Sequence, residues 1–157
     1  MRTLDSADAV DHVAIARLQA GYGDAVTRQA WDELHAMFLP DCPIRLDLRD
    51  RIVEVTGPEA IGSMIASSIE RFELFIFTIQ NSAIDLVGDG VTARGRLYIR
   101  ELRQEREGHR WTTAYGLYED TYRKVDGTWR FATRDYSTLA RTSAAAEGMD
   151  VFPIPGI

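Results

Sequence analysis

An aspartate and an arginine stand out in the stretch GLYEDTYRKVDGTWRFATRD, which runs from residue 116 to residue 135. The stretch alternates as two strands joined at Asp126-Gly127 would, and an Asp-Gly pair is common in tight hairpin turns. Asp120 and Arg134 occupy places where a strand that packs on a core carries apolar side chains. Two explanations are open. Either the charges pair and hold two neighbouring strands together, or they contact the polar group of an otherwise apolar ligand.

Two further residues have side chains suited to proton transfer or hydrogen bonding. Asp47, in the segment PIRLDL, is a second carboxylate on a predicted strand, although the adjoining turn at Arg49-Asp50 explains an exposed Asp47 equally well. Tyr22, in the first predicted helix, is either a phenolic donor or a core residue with a satisfied hydroxyl group. A carboxyl group buried among apolar side chains has a raised pKa, which suits a base or donor at neutral pH.

Hydrophobic periodicity predicts that helices in the first half of the chain support a sheet in the second half. The predicted helices are a long one from Val10 to Val26, a short one at AWDELHAMF that stops before Pro40, and a third at TGPEAIGSMIASSIERF. Two short strands at 43–48 and 51–56 precede the third helix. Long strands fill residues 74–139, with turns at 88–90, 107–108 and 126–127 and bends at Gly95 or Gly116.

Length and composition fit one ordinary soluble domain, because the 157 residues are 45% hydrophobic and 27% charged. No apolar run approaches the ~18 residues that span a membrane, and the acidic N-terminus resembles no signal or transit peptide, so we expect a cytoplasmic protein. The net charge of −6 argues against nucleic acid as a partner. We interpret the mixed charges of the strand near residue 100 as a solvated or subunit-facing surface: Arg94, Arg96, Arg100, Glu101, Arg103, Glu105 and Glu107.

The cysteine and histidine content does not support a metal centre. Cys42 is the single cysteine, so an internal disulfide and a cysteine-rich metal cage are excluded, and we interpret it as a small buried hydrophobe. No pair among His12, His35 and His109 has the spacing of metal ligands. Of these, His35 is the candidate for facing a pocket, and a partly buried helix position is the simpler explanation. We predict no metal and no cofactor.

Five segments and an apolar C-terminal tail share their order and spacing with one known family: LQAGYGDAV, WDELHAMFLPD, TGPEAI, QNSAIDLVGDGVTARG and GLYEDTYRKVDGTWRFATRD. By these segments the sequence resembles the SnoaL-like family of the nuclear-transport-factor-two-like superfamily. The resemblance implies an α+β cone, in which a strongly curved antiparallel sheet packs on about three helices of the N-terminal half around an apolar pocket. We expect a single domain over residues 1–157, with a core at about 8–140 and a tail at 141–157 that covers the pocket mouth or a subunit boundary.

The resemblance also implies roles for the residues singled out above. In related steroid isomerases a carboxyl near Asp120 donates a hydrogen bond to a developing enolate, and a proton-shuttling carboxylate lies near Asp47. In the related dehydrochlorinase the arginine that matches Arg134 lies beside the catalytic residues, and dehydratases of the superfamily have pocket tyrosines near Tyr22. We therefore expect ligand contacts from Tyr118, Arg134, His35, Phe77 and Leu97.

Two positions depart from the family pattern. The dehydratases and the dehydrochlorinase have a histidine four residues before the asparagine that matches Asn81, and this chain has Phe77 there. The companion aspartate, expected about five residues after Tyr22, is Thr27. A histidine–aspartate pair that acts as a general base therefore cannot be assembled from these positions.

Two hypotheses about function remain open, and with them whether the protein is an enzyme. In the first, it is a cofactor-independent lyase, isomerase or cyclase for a planar, mostly apolar molecule. Asp47 or Asp120 moves a proton α to a carbonyl, Tyr22, Tyr118 and Arg134 stabilise the oxyanion, and Asp120→Asn reduces turnover far more than stability. In the second, it is a non-catalytic ligand-binding protein or a scaffold subunit like the β subunits of ring-hydroxylating dioxygenases. We expect a homodimer or homotrimer formed through the sheet.

Overall fold

The computed structural model describes residue 3 and residues 5–157, and its helices lie in the first half of the chain. They are α1 (Ser6–Arg28), a 3₁₀ turn (Trp31–Glu33), α2 (Leu34–Met37) and α3 (Gly57–Ile69). α1 begins four residues before the predicted Val10, and Asp5 caps it: the Asp5 carboxylate accepts the backbone N–H of Asp8 at 2.9 Å. Such a cap satisfies a backbone donor that has no partner within the first helical turn.

One sheet follows and includes seven strands of the described chain. They are β1 (Pro43–Asp47), β2 (Ile52–Thr56), β3 (Phe72–Leu86), β4 (Thr92–Glu105), β5 (Trp111–Val125), β6 (Thr128–Thr142) and β7 (Met149–Val151). The order across the sheet is β2-β1-β6-β5-β4-β3, with β7 paired to β6. The predicted turns at 88–90, 107–108 and 126–127 separate the four long strands.

The predicted fold class is confirmed, with one difference in the sheet. Three helices pack on a strongly curved, open sheet. The sheet is mixed and not wholly antiparallel, because β1 runs parallel to β6, with Ile44 opposite Arg134. A parallel neighbour requires a long crossover. Here β2, α3 and three long strands separate the two partners in sequence.

Local irregularities accompany the curvature of the long strands. The register shifts between Ile79 and Asn81 in the β3–β4 pair, and between Tyr115 and Gly116 in the β5–β6 pair. Such bulges bend a strand and increase its twist. At Gly116, a predicted bend, the Tyr136 ring lies against the backbone where a side chain would otherwise stand. Glycine at this position therefore lets a ring from β6 cross β5.

The hydrophobic core lies between α1, α2 and the inner face of the sheet. Along β5 the buried residues alternate as predicted, with Thr112, Ala114, Gly116, Tyr118, Asp120 and Tyr122 facing inward. Cys42 is fully buried, and burial raises the pKa of its thiol to about 12, which fits the predicted role of a small core residue. In the described part of the chain, no helix is both long enough and apolar enough to cross a membrane.

The C-terminal tail adds β7 to β6 and then continues along the outer side of the sheet. Arg49 Nη2 donates to the Pro153 carbonyl, and Arg96 Nη2 donates to the Pro155 carbonyl, both at 3.0 Å. Arg96 alternates with the buried Leu97 on β4, so its side chain marks the outer face. No residue after Arg141 lines the cavity described below. Of the predicted tail, Arg141 lines the cavity, and the expectation that the tail covers the pocket mouth or a subunit boundary stays a prediction.

Candidate functional site

A cavity of about 470 Å³ lies between the inner face of the sheet and helices α1 and α3. Half of the lining residues are apolar: Val26, Leu46, Leu48, Ile61, Met64, Ile65, Ile69, Phe72, Phe75, Phe77 and Ala114. The others are tyrosines, hydroxyl residues and charged residues. Cavities of this size bury most of the surface of a small organic ligand. The cone thus has a chamber suited to a mostly apolar molecule.

Three tyrosines provide polar atoms in this cavity: Tyr22 on α1, Tyr118 on β5 and Tyr136 on β6. Burial raises the pKa of each phenol above its ordinary value. All three side chains are therefore neutral at physiological pH. The Tyr22 hydroxyl is hydrogen-bonded with that of Tyr118, and Tyr136 with Thr138, so a ligand oxygen would join an existing pair of neutral hydroxyl groups. Tyr22 and Tyr118 are neighbours, with ring centroids 6.1 Å apart.

Behind Tyr22 and Tyr118 lies the buried ion pair of Asp120 and Arg134, which face each other on β5 and β6. Arg134 donates from Nε to Asp120 Oδ1 and from Nη2 to Oδ2, each at 2.8 Å. Both side chains are 0% exposed. Neither residue lines the cavity. These charges had two explanations, an ion pair that holds neighbouring strands together or a contact with a ligand. The geometry shows the ion pair.

Aromatic rings surround the Arg134 guanidinium. Its Cζ lies 4.2 Å from the ring centroid of Tyr22, 4.0 Å from that of Tyr118 and 4.1 Å from that of Phe131. Burial opposes the charge, but the Asp120 carboxylate outweighs it and raises the pKa of Arg134. Nη1 has no hydrogen-bond partner among the described residues, so the ring faces provide its favourable contacts. The ion pair therefore holds the two cavity tyrosines from behind.

The ion pair is part of a longer polar chain that links the sheet to α1. Tyr122 donates its hydroxyl to Asp120 Oδ2 at 3.0 Å and accepts from Gln19 Nε2 at 2.8 Å. Ser82 Oγ in turn donates to Gln19 Oε1 at 2.6 Å. Apart from Arg134 Nη1, the hydrogen bonds named here satisfy this network, and such a network rigidifies its surroundings.

The other predicted site residues divide between the cavity wall and other parts of the fold. Tyr22, Tyr118 and Phe77 line the cavity together. Asp47 lies outside it, where its Oδ1 accepts the backbone N–H of Arg49 at 2.9 Å, as the alternative of a local turn implied. His35 is exposed on α2, and Leu97 is fully buried in the core behind the wall. The positions of Asp47, His35 and Leu97 therefore do not support contact with a ligand in the cavity.

Phe77 and Thr27, where the resemblance placed a histidine and an aspartate, are in direct contact. The Phe77 backbone N–H donates to Thr27 Oγ1 at 3.1 Å. The Phe77 ring packs edge-on against Tyr22, with centroids 5.6 Å apart. The two positions of the family dyad are therefore adjacent in space, but neither side chain can accept a proton here.

Sequence reasoning did not place six charged residues in the cavity wall: Asp50, Arg51, Arg71, Glu101, Arg103 and Arg141. Two of them, Glu101 and Arg103, form a pair on β4. They are 20% and 15% exposed, and Arg103 Nη1 approaches Glu101 Oε2 at 3.4 Å. Burial raises the pKa of Glu101 despite the opposing Arg103 charge. The alternation of side chains along the strand could have revealed them. Glu101 and Arg103 follow Leu97 and Ile99 at every second position of β4 and therefore face inward with them. The interpretation as an outer surface is wrong for these two residues.

A metal centre finds no support in the side-chain arrangement. Residues 5–157 hold no group of three or more His, Cys, Asp or Glu side chains placed to bind a metal ion. The polar groups of the cavity are hydroxyl, guanidinium and carboxyl groups from separate strands and helices. Any chemistry that these residues perform themselves is hydrogen bonding and proton transfer.

The profile of the SnoaL-like domain matches residues 7–135. The chain belongs to the SnoaL-like family. A search of curated protein sequences finds no match. Solved structures with the same fold include a candidate scytalone dehydratase from Novosphingobium aromaticivorans, at 24% identity and a TM-score of 0.80, with 98% of this chain and 99% of that chain covered.

Two further solved structures have the same fold. The hexachlorocyclohexane dehydrochlorinase LinA-type3 from Novosphingobium barchaimii is 18% identical with a TM-score of 0.76, covering 98% of this chain and 97% of that chain. A candidate aromatic ring hydroxylase from Novosphingobium aromaticivorans is 19% identical with a TM-score of 0.71, covering 92% and 94%. At these identities the likeness shows a shared fold.

Proposed function

We propose that this SnoaL-like protein binds a small, mostly apolar molecule in the cone cavity and acts on it as a cofactor-independent lyase, isomerase or cyclase. An aromatic, polyketide-like or steroid-like compound fits the chemistry of the wall. The dehydrochlorinase and the candidate dehydratase with the same fold are consistent with this reaction class. One observation carries the proposal: an apolar chamber ends in two neutral tyrosine hydroxyl groups, whose rings the Asp120–Arg134 pair supports.

This arrangement suits a ligand with one carbonyl or hydroxyl group. Tyr22 and Tyr118 donate hydrogen bonds to the ligand oxygen, and these bonds strengthen when negative charge develops on it. The rings cannot move far, because Arg134 packs against both of them. Preorganised donors of this kind favour an enolate over the ketone from which it forms.

A ligand screen with a matched pair of tyrosine variants tests the binding function. Planar aromatic, polyketide-like and steroid-like compounds are screened by thermal shift against wild type, Tyr118→Phe and Tyr98→Phe. A ligand at a hundred times its dissociation constant adds about 2.7 kcal/mol of stability, and each kcal/mol raises Tm by roughly 2–4 °C in a chain of this size. We expect Tyr118→Phe to reduce the shift given by an oxygen-bearing ligand, because it removes a donor in the cavity.

Tyr98→Phe is the control, because Tyr98 lies on the outer side of β4 with its hydroxyl near Arg96 Nη2 at 3.3 Å. It removes an equivalent hydroxyl group without changing the cavity wall. Equal loss of ligand stabilisation in both variants would contradict binding at the tyrosine pair. Absence of any stabilising compound, with a natively folded protein, would contradict the binding function.

A non-catalytic role is the second candidate, and the replacement of the family dyad by Phe77 and Thr27 favours it. In this case the cavity binds a ligand without turnover, or the chain is a scaffold subunit as in the β subunits of ring-hydroxylating dioxygenases. Co-purification with a larger iron-binding protein would support the scaffold. A chain that is isolated without such a partner and binds a cavity ligand would exclude it.

We also propose that the protein assembles as a homodimer or homotrimer through the sheet and the tail. Exposed apolar side chains support this: Trp111 on β5, Val151 on β7 and Ile157 at the end of the tail. Light scattering coupled to size exclusion measures the subunit number. A monomer at micromolar concentration would contradict the proposal.

A further inference from the structure

Glu101 occupies a position next to the missing general base. In the β3–β4 pair it is the register partner of Phe77, and in the β4–β5 pair it lies opposite Ala114. Side chains of directly opposed residues in an antiparallel pair leave the same face of the sheet about 5 Å apart at Cβ. The Glu101 carboxyl therefore enters the cavity from the strand beside Phe77, and the small Ala114 leaves room on its other side.

The carboxyl group is held at one oxygen and free at the other. Arg103 Nη1 lies 3.4 Å from Oε2, and Arg103 Nε donates to Thr112 Oγ1 at 3.1 Å, which fixes the guanidinium. Among the described residues, the contact to the Glu101 carboxyl group is made at Oε2, and Oε1 has no hydrogen-bond donor there. A carboxylate oxygen that lines an apolar cavity and lacks a protein partner is available to a ligand.

The cavity tyrosines lie within the electrostatic reach of Glu101. Burial raises the pKa of Tyr136, and the Glu101 charge raises it further. The same charge contributes to the raised pKa of Tyr118, after burial and the neighbouring Tyr22. A proton acceptor and neutral hydroxyl donors therefore share one chamber, as α-proton abstraction requires.

We propose that Glu101 is the catalytic proton-transfer residue of the cavity and that its substrates are ketones with an acidic C–H bond next to the carbonyl. This inference rests on the proposed function and names the substrate class. Oε1 takes the α-proton: the C–H bond breaks, an O–H bond forms, and the electron pair moves through the new C=C bond onto the carbonyl oxygen. Tyr118 donates a hydrogen bond to the resulting enolate. The Glu101 O–H proton exchanges with solvent while the enolate is bound, and Glu101 then delivers a proton, or a deuteron in D₂O, to carbon, so no oxidant or reductant is consumed.

The experiment measures exchange of α-protons for deuterium by NMR in D₂O, with 2-tetralone and 1-indanone as probes. Wild type is compared with Glu101→Gln, Glu101→Asp and Glu119→Gln, and ligand binding is measured in parallel by thermal shift. Glu119 is a matched control, because it pairs with Arg96 at 2.7 Å on the outer face. Loss of a general base costs about 10²- to 10⁴-fold in rate. We expect such a loss of enzyme-dependent exchange in Glu101→Gln, partial exchange in Glu101→Asp and full exchange in Glu119→Gln.

Binding and exchange together separate the outcomes. Retained binding with lost exchange in Glu101→Gln supports the assignment. Equal exchange rates with wild type and Glu101→Gln overturn it. The assignment is also overturned if wild type binds a probe without accelerating its exchange; in that case the binding function still stands. If neither ketone binds wild type, the proposed substrate class is overturned. The wider ligand screen then decides whether the binding function fails as well.

Discussion

Two acid–arginine pairs lie on the inner face of the sheet, and they differ in how completely protein atoms surround them. Asp120 and Arg134 form two hydrogen bonds of 2.8 Å and are 0% exposed. Glu101 and Arg103 approach at a single distance of 3.4 Å and remain 20% and 15% exposed to the cavity. In the first pair both carboxylate oxygens of Asp120 accept hydrogen bonds from protein atoms, whereas the second pair leaves a carboxylate oxygen available.

The difference separates a structural role from a chemical one. A buried charge is tolerated when its partner and its hydrogen bonds are complete, and such a pair has little left for a substrate. A carboxyl group that is only partly paired in an apolar cavity has a raised pKa and an accessible oxygen, which are the properties of a general base. We therefore assign Asp120 and Arg134 to the support of the tyrosines, and Glu101 to proton transfer.

The largest effect is expected for Asp120→Asn. The substitution leaves the Arg134 guanidinium buried without its counter-charge, and removal of one partner from a buried ion pair costs about 3–5 kcal/mol. We expect this loss in the free energy of unfolding, measured by urea titration. The geometry thus reverses the sequence-based expectation that this substitution reduces turnover far more than stability.

Glu119→Gln is the control for the removal of a carboxylate from a pair with arginine. Glu119 and Arg96 are 44% and 33% exposed on the outer face, and exposed pairs contribute about 0–1 kcal/mol. If Asp120→Asn lost no more stability than Glu119→Gln, the structural role of the Asp120–Arg134 pair, called the sealed pair below, would be refuted.

Most of the fold was predictable from the sequence, because each element has a local signal. The first helix, the stop before Pro40 and the turn at Asp126-Gly127 all lie where pattern and turn chemistry placed them. The parallel pairing of β1 with β6 was not predictable. It depends on the return of the chain after a crossover of about 80 residues, and no local pattern in PIRLDL encodes that neighbour.

The site was less predictable, because burial of a charged residue depends on distant parts of the chain. The sequence shows that Asp120 and Arg134 are unusual. It does not distinguish a fully buried ion pair from two residues that contact a ligand. Glu101 and Arg103 lie in a run of charges that resembles a solvated strand. They enter the cavity because β4 continues past its apolar half with α3 opposite it, and that packing is visible only in three dimensions.

A smaller effect is expected for Tyr122→Phe, which tests how far the sealed pair depends on its polar chain. The hydroxyl donates to Asp120 at 3.0 Å and accepts from the buried Gln19 at 2.8 Å. Its removal leaves a buried amide donor unsatisfied, which costs about 1–3 kcal/mol. Urea titration measures the loss, with Tyr98→Phe as control. A change below that of the control would show that Asp120 and Arg134 need no support from α1.

The smallest effect is expected in the pH dependence of stability for Glu101→Gln. This measurement distinguishes the Glu101–Arg103 pair from the Asp120–Arg134 pair. Because burial raises the pKa of Glu101 in the folded state, the unfolded chain loses this proton first as pH rises, and wild-type stability falls relative to the variant. We expect equal stability near pH 4 and a growing advantage of Glu101→Gln above it, until pH passes the folded pKa. Urea midpoints from pH 4 to 8 measure the difference. A Glu101→Gln variant that is less stable than wild type at pH 7 would mean that the Arg103 contact outweighs burial, and Glu101 would then resemble the sealed pair.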